Sequence, residues 1–202
     1  MKFGIRSILL AWFLGFFLTS FSHADALKLA AVGTANFSGP RINTGTGPVT
    51  SSSTLGLGIG GLASFPLVPD FRLETGLLYI KSVYSFSGTE FTLNHLQIPA
   101  VVRFDLLPFL SLGGGFYYSF GLGNVGTRVG NVTTDVTYDA FNLSSSDLGA
   151  IVSAALDLTI GPASSLLVDV RYLYGLKNLT NLAGQTFRLS SFLFLVGVKF
   201  GL

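Results

Sequence analysis

The chain has 202 residues, 49% of them hydrophobic and only 11% charged, with a mean hydropathy of +0.60. A soluble domain carries about 25% charged residues, so this composition excludes an ordinary soluble enzyme or binding module, and the formal net charge of +2 supplies no basic patch for nucleic acid. The absence of cysteine rules out a disulfide framework and a thiolate metal site.

In chain order, the apolar run Ile8 to Leu18 follows Lys2 and Arg6 and precedes Ser22-His23-Ala24 and Ala24-Asp25-Ala26. A charged start, a short apolar centre and small residues around a cleavage site make a secretory signal peptide. The run is shorter than the roughly 20 apolar residues a spanning helix needs. Residues 1–24 are therefore expected to be removed and 25–202 to form one domain. Loss of Lys2 and Arg6 takes the formal charge to about neutral.

From Leu27 the chain changes to a period of two. Leu27, Leu29, Ala31, Gly33, Ala35 and Phe37 alternate with Lys28, Ala30, Val32, Thr34 and Asn36, which predicts a strand. The Gly-, Pro-, Ser- and Thr-rich stretch Ser38 to Ser53 has no period and reads as a loop. A second strand is expected over Thr54 to Phe65, with Leu55, Leu57, Ile59, Ala63 and Phe65 opposite Gly56, Gly58 and Gly60. After the turn Pro66 to Asp70, a third strand runs to Phe86, setting Leu73, Thr75, Leu77 and Tyr79 against Arg72, Glu74 and Gly76. Its far end, through Lys81, fits neither face and predicts a bulge.

Beyond a short loop at Ser87 to Glu90, the fourth strand sets Leu96, Ile98, Ala100, Val102 and Phe104 against His95, Gln97, Pro99, Val101 and Arg103. Asp105 to Pro108 reads as a turn. The fifth carries Leu110, Leu112, Phe116, Tyr118, Phe120 and Leu122 on one face. An irregular stretch, Gly123 to Ser146, interspersed with valines, can extend a hairpin past the barrel. The sixth sets Leu148, Ala150, Val152, Ala154, Leu156 and Leu158 against Asp147, Gly149, Ser153 and Asp157; Gly161-Pro162 turns into the seventh, where Leu166, Val168, Val170, Tyr172, Tyr174 and Leu176 oppose Asp169, Arg171 and Gly175. After the polar loop Lys177 to Thr186, the eighth strand closes the chain with Phe192, Phe194, Val196, Val198, Phe200 and Leu202 on one face and Lys199 on the other.

Eight strands of this length, each with one wholly apolar face, predict an all-β, antiparallel, up-and-down transmembrane barrel. In outer-membrane barrels the outward face meets lipid and the lumen is polar, with short periplasmic turns and longer extracellular loops. The alternating connections then place both termini in the periplasm. A lipocalin-like soluble barrel would reverse the faces, and the second face here, mostly Gly, Ser and a few charges, is too sparse to solubilise an exterior.

Lys28, Arg72, Glu74, Arg103, Asp157, Asp169, Arg171 and Lys199 all fall on the inward face toward the periplasmic end. An eight-stranded barrel is just wide enough for its side chains to fill it, and buried charges must be paired. A structural, salt-bridged plug is the expectation, with Gly56, Gly58, Gly60, Gly113 and Gly115 making room for the long cations; a narrow channel is the alternative. His95 is the single histidine of 25–202. It invites comparison with small barrel enzymes that modify lipid acyl chains, with Ser119 or Asp147 as neighbours, but no motif supports that grouping, and no cofactor or metal is expected. The Asn-x-Ser/Thr tripeptides at Asn36, Asn131, Asn142 and Asn178 read as composition rather than glycosylation acceptors.

Four segments in order, L-Q-I-P-A-V-V-R-F (96–104), P-F-L-S-L-G-G-G-F-Y-Y-S-F-G (108–121), S-D-L-G-A-I-V-S-A-A-L-D-L (146–158) and V-D-V-R-Y-L-Y-G-L-K-N-L (168–179), resemble the PorT-like outer-membrane β-barrel domain of Gram-negative bacteria. The resemblance implies an eight-stranded barrel in the outer membrane, in contact with its lipids and delivered by the barrel-assembly machinery through a C-terminal signal that would include Phe200 and Leu202. It also implies envelope or secretion-complex proteins as partners. The function expected is a non-enzymatic structural, envelope-interaction or surface-contact role exerted through the loops, with a channel or an accessory transport or secretion subunit as the alternative.

Overall fold

The computed structural model describes residues 27–43, 48–49, 52–86, 88–182 and 184–201. The predicted signal peptide and Leu202 lie outside the described residues. The strands are β1 (Lys28–Asn43), β2 (Pro48–Val49), β3 (Ser52–Val68), β4 (Phe71–Phe86), β5 (Thr89–Leu107), β6 (Leu110–Gly121), β7 (Val125–Val129), β8 (Val132–Val136), β9 (Ser146–Gly161), β10 (Ser164–Gly175) and β11 (Thr186–Gly201). Eight of them, β1, β3, β4, β5, β6, β9, β10 and β11, pair antiparallel with their chain neighbours, and β1 closes the ring against β11 from Lys28↔Gly201 to Asn43↔Thr186. A closed ring satisfies every ladder group without an open edge, the condition for crossing lipid with strands.

Burial follows the period of two. On β1 the positions Ala30, Val32, Thr34, Asn36 and Ser38 are buried, while Leu29 and Phe37 are exposed; on β11 Leu193, Leu195 and Lys199 are buried, while Phe192, Phe194, Val196 and Phe200 are exposed. An exposed row of Leu, Ile, Val and Phe circling a ring of strands is a lipid-facing surface. Phe71 and Phe104 sit in contact, 5.0 Å between centroids, at the end carrying the tight turns. Tyr172 packs on Phe192 at 5.0 Å toward the other end. Aromatics at both borders of the apolar band match the girdles of membrane barrels.

The two ends differ. Two-residue turns join β3 to β4 at 69–70, β5 to β6 at 108–109 and β9 to β10 at 162–163, whereas longer connections follow β1, β6 and β10. These are called the turn end and the loop end. At the loop end the strands outrun the prediction. The stretch read as a loop from Ser38 continues β1 to Asn43, because the β11 ladder supplies backbone partners whatever the composition. Likewise β3 starts at Ser52, β5 at Thr89 and β11 at Thr186. The valine-rich connection folds as the hairpin β7–β8, and β7 extends the sheet by pairing Val129–Gly126 with Thr89–Thr92 of β5. The irregularity expected near Lys81 is present, but its extra residue lies on β3, between Thr54 and Gly58, opposite 80–83. Lys81 itself is exposed, and Leu78 and Ile80 turn inward.

The interior is not uniformly polar. Leu78, Ile80, Val101, Ile151, Leu167, Leu193 and Leu195 are buried inside the ring and form one apolar cluster. The glycines also serve a different purpose from the one expected. A methyl group at Gly56, Gly58, Gly60 or Gly115 would run into the backbone of the adjoining strand, and only Gly113 abuts an arginine stem, that of Arg103. Most of these glycines therefore let neighbouring strands of a narrow barrel approach closely rather than make room for cations.

Candidate functional site in the lumen and at the loop end

Alternation on β4, β5 and β10 brings Glu74, Arg103, Asp169 and Arg171 to one level inside the barrel. Glu74 Oε1 accepts from Arg103 Nη2 at 2.9 Å and from Arg171 Nη2 at 2.7 Å. Asp169 Oδ2 accepts from Arg103 Nη2 and from Arg171 Nε at 2.8 Å. All four side chains are essentially without solvent exposure. The result is a closed ring of alternating cation and anion with no net charge. Five of its polar atoms, Glu74 Oε2, Asp169 Oδ1, Arg103 Nε and Nη1 and Arg171 Nη1, have no hydrogen-bond partner among the described residues, so desolvation of the ring is offset only in part.

A second group lies nearer the turn end. Arg72 Nη2 reaches Asp157 Oδ2 at 2.9 Å, Asp105 Oδ1 at 3.0 Å and Ser111 Oγ at 3.1 Å. Lys199 Nζ donates to Asp157 Oδ1 and Oδ2 at 2.6 and 2.7 Å. Seven of the eight charges singled out in the sequence are thus joined in these two groups. Lys28 is the exception: it is exposed at the turn-end mouth, beside Arg72, Asp157 and Lys199, and is in no ion pair among the described residues. Its parity is correct, but it is the first residue of β1 and solvent serves its ammonium better than a crowded lumen. Asp105, read as a turn residue, takes its place, because β5 continues to Leu107. The joined groups then balance: Arg72, Arg103, Arg171 and Lys199 against Glu74, Asp105, Asp157 and Asp169. Phe200 stands exposed on the outer face of β11.

Toward the loop end the lumen becomes hydroxylic. Asn36 Nδ2 donates to Ser38 Oγ and Ser82 Oγ, both at 2.8 Å, and Ser38 Oγ lies 2.9 Å from Ser191 Oγ. Asn36 is buried here, which removes it as a glycan acceptor, and Asn178 is engaged in the β10–β11 connection, accepting from the Phe187 amide at 2.8 Å. A cavity of about 50 Å³ is lined by His95, Gln97, Ser119, Tyr138, Asp147 and neighbours, room for a few waters. His95, Ser119 and Asp147 line the same cavity, but Asp147 accepts from Tyr117 Oη at 2.8 Å. No hydrogen bond joins His95 to either partner among the described residues, so the nucleophile-base contact of acyl transfer is not formed. Above the cavity Tyr84, Leu93 and Val125 pack with Phe91, Tyr138, Phe141, Phe187 and Leu189, an apolar stopper that sequence reading missed. Its signal was the inward parity of Tyr84, Leu93, Phe187 and Leu189, all within the predicted strands.

A closed ring of eight antiparallel strands with an apolar exterior and an ion-paired interior defines a membrane β-barrel. The chain belongs to the family described as outer membrane protein beta-barrel domain, whose model matches residues 20–181, and it is accordingly a protein of the bacterial outer membrane. No curated protein matches it. Among solved structures it is similar to OprG from Pseudomonas aeruginosa, at 10% identity over 89% of this chain and 97% of that one, with a TM-score of 0.50. Neisserial surface protein A is 17% identical over 85% and 97%, TM-score 0.47. Ail, the attachment invasion locus protein of Yersinia pestis, in complex with the heparin analogue sucrose octasulfate, is 12% identical over 87% and 99%, TM-score 0.49.

Proposed function

We propose that this protein is a non-enzymatic outer-membrane barrel with a plugged lumen that acts through the surface built at its loop end. The ring of Glu74, Arg103, Asp169 and Arg171 carries this reading: its four paired side chains, like the inward Leu78, Leu167, Leu193 and Leu195, have essentially no exposure to solvent, as expected of a filled lumen. The charge groups act as internal struts between strands far apart in sequence. The tight turns and both termini face the periplasm, and the loop end, with the β7–β8 hairpin, faces outward. Phe200 and Leu202 belong to the C-terminal sequence signal read by the assembly machinery.

Because the chain has no cysteine, orientation is directly testable. A cysteine replacing Asn131, at the exposed tip of β7–β8, is expected to react with a membrane-impermeant maleimide on whole cells, and one replacing Ala163, in a tight turn, only after the outer membrane is opened. The reverse pattern would refute the orientation and the outward-facing surface with it.

One observation favours a second reading, an accessory subunit of a transport or secretion complex. Strand β8, Val132–Val136, pairs with β7 on one side and with nothing on the other among the described residues. An open edge is a template for β-strand addition by a partner, and the PorT-like segments point to the same class of role.

A further inference from the structure

On the outer wall at the loop end, Arg41 of β1 and Arg188 of β11 stand directly opposite each other in the ladder. The alternation of both strands turns both side chains outward. Like charges directly opposed repel, and neither guanidinium is in an ion pair among the described residues. The sequence that follows β1, T-G-T-G-P-V-T-S over 44–51, contains no carboxylate to serve them.

The neighbourhood is nevertheless built. Arg41 lies over the ring of Tyr174, 4.0 Å from its centroid, and its Nη2 donates to the Gly175 carbonyl at 3.1 Å. Ser190, two residues along β11 from Arg188, stands opposite Tyr174 in the β10–β11 ladder. Arg188 Nε and Ser190 Oγ are both buried without a hydrogen-bond partner among the described residues. Two guanidinium groups and a hydroxyl thus converge beside Tyr174, just beyond Phe37, Phe192 and Tyr172 of the lipid-facing band. That level is where lipid headgroups lie, and paired arginines match phosphate geometry better than any other side chain.

On the same strands, an apolar groove runs over Gly33 and Ala35, walled by Leu57, Ile59, Phe194 and Val196. Six residues separate Ala35 from Arg41, about 20 Å of strand at ~3.3 Å per residue. With a strand tilt of about 45°, this is roughly 14 Å of depth, within one leaflet of a ~30 Å hydrocarbon core. We propose that Arg41, Arg188 and Ser190 bind the phosphate of a membrane lipid whose acyl chain lies in the groove over Gly33 and Ala35. The site does not depend on which side of the membrane the loop end faces.

The test uses the purified barrel in an alkyl maltoside, titrated with dimyristoyl phosphatidic acid, with dimyristoylglycerol and with inorganic phosphate, binding being read by native mass spectrometry. Phosphatidic acid is expected to bind at least about tenfold more tightly than either half-ligand, and R41Q/R188Q to weaken it about tenfold, the loss expected for charge-assisted hydrogen bonds. Gly33→Leu fills the groove at a position where an added Cβ has room, its nearest neighbour 3.9 Å away; this variant should weaken the lipid while keeping the heat-modifiable mobility of a folded barrel. Equal affinity for dimyristoylglycerol, unchanged binding in R41Q/R188Q or in Gly33→Leu, or inorganic phosphate bound as tightly as the lipid would each overturn the proposal.

Discussion

Glu74→Gln is expected to destabilise the barrel by about 3–5 kcal/mol, the cost of removing one partner from a buried ionic network. Glu74 Oε1 serves Arg103 and Arg171 together, so neutralising it leaves two buried guanidinium groups facing the single charge of Asp169. The unfolded chain hydrates those arginines freely; the folded lumen does not. Urea unfolding in lipid vesicles, followed by the heat-modifiable mobility of the folded form, measures the difference. Substituting all four members at once, as E74L, R103M, D169L and R171M, removes the unpaired charge along with the ring. Its stability should return to the wild-type value or exceed it by about 1–4 kcal/mol, as buried ion pairs exchanged for packed apolar side chains commonly do. A quadruple variant as unstable as Glu74→Gln would mean that the ring contributes more than charge balance.

Gly60→Ala is the second large effect. The added methyl would meet the Leu77 carbonyl oxygen and the Leu78 Cα, which are backbone atoms of β4 and cannot swing aside as a side chain can. Either the β3–β4 ladder opens locally or the strands move apart in a ring where every neighbour is already paired. Overpacking typically costs about 1–3 kcal/mol, and a clash with backbone belongs at the upper end of that range or above it. Gly33→Ala, on the outer face of the adjacent strand, has no such neighbour and should change stability by less than about 0.5 kcal/mol. The pair of substitutions, read in the same unfolding assay, separates close strand approach from a general aversion of the barrel to change at glycine. Comparable losses at both positions would contradict the account of the inward glycines.

The outer wall was legible from sequence because lipid demands an apolar side chain at every second position, and rows such as Phe192, Phe194, Val196, Val198 and Phe200 can satisfy that demand in only one way. The identity of the barrel charges was nearly as clear, since Arg or Glu at inward parity has no other place to go. Where reading failed, the missing information was tertiary. Asp105 sits in D-L-L-P, a turn by composition, and becomes a ligand of Arg72 only because β5 runs on to Leu107. Lys28 has the parity of a luminal residue but occupies the rim. Leu78 and Ile80 obscured the third strand because both of its faces are apolar there, one against lipid and one against the core. The loop-end extension of β1 was hidden by Gly-, Ser- and Thr-rich composition, since β-sheet formation depends on which partner strand arrives more than on intrinsic preference, and the aromatic stopper around Tyr84 went unread because its members come together only across the closed ring. The Arg41–Arg188 pair falls in the same blind region, its register set by a ladder between residues far apart in the chain.

Planar-bilayer conductance of the refolded barrel, with folding verified by heat-modifiable mobility, tests the plugged lumen most directly. The account predicts a folded and electrically silent protein, with Arg103→Gln equally silent or showing only irregular leaks. Discrete, ion-selective openings in the wild-type barrel whose selectivity changes in Arg103→Gln would contradict it, and would make the ring of arginines and carboxylates the filter of a channel instead of its plug.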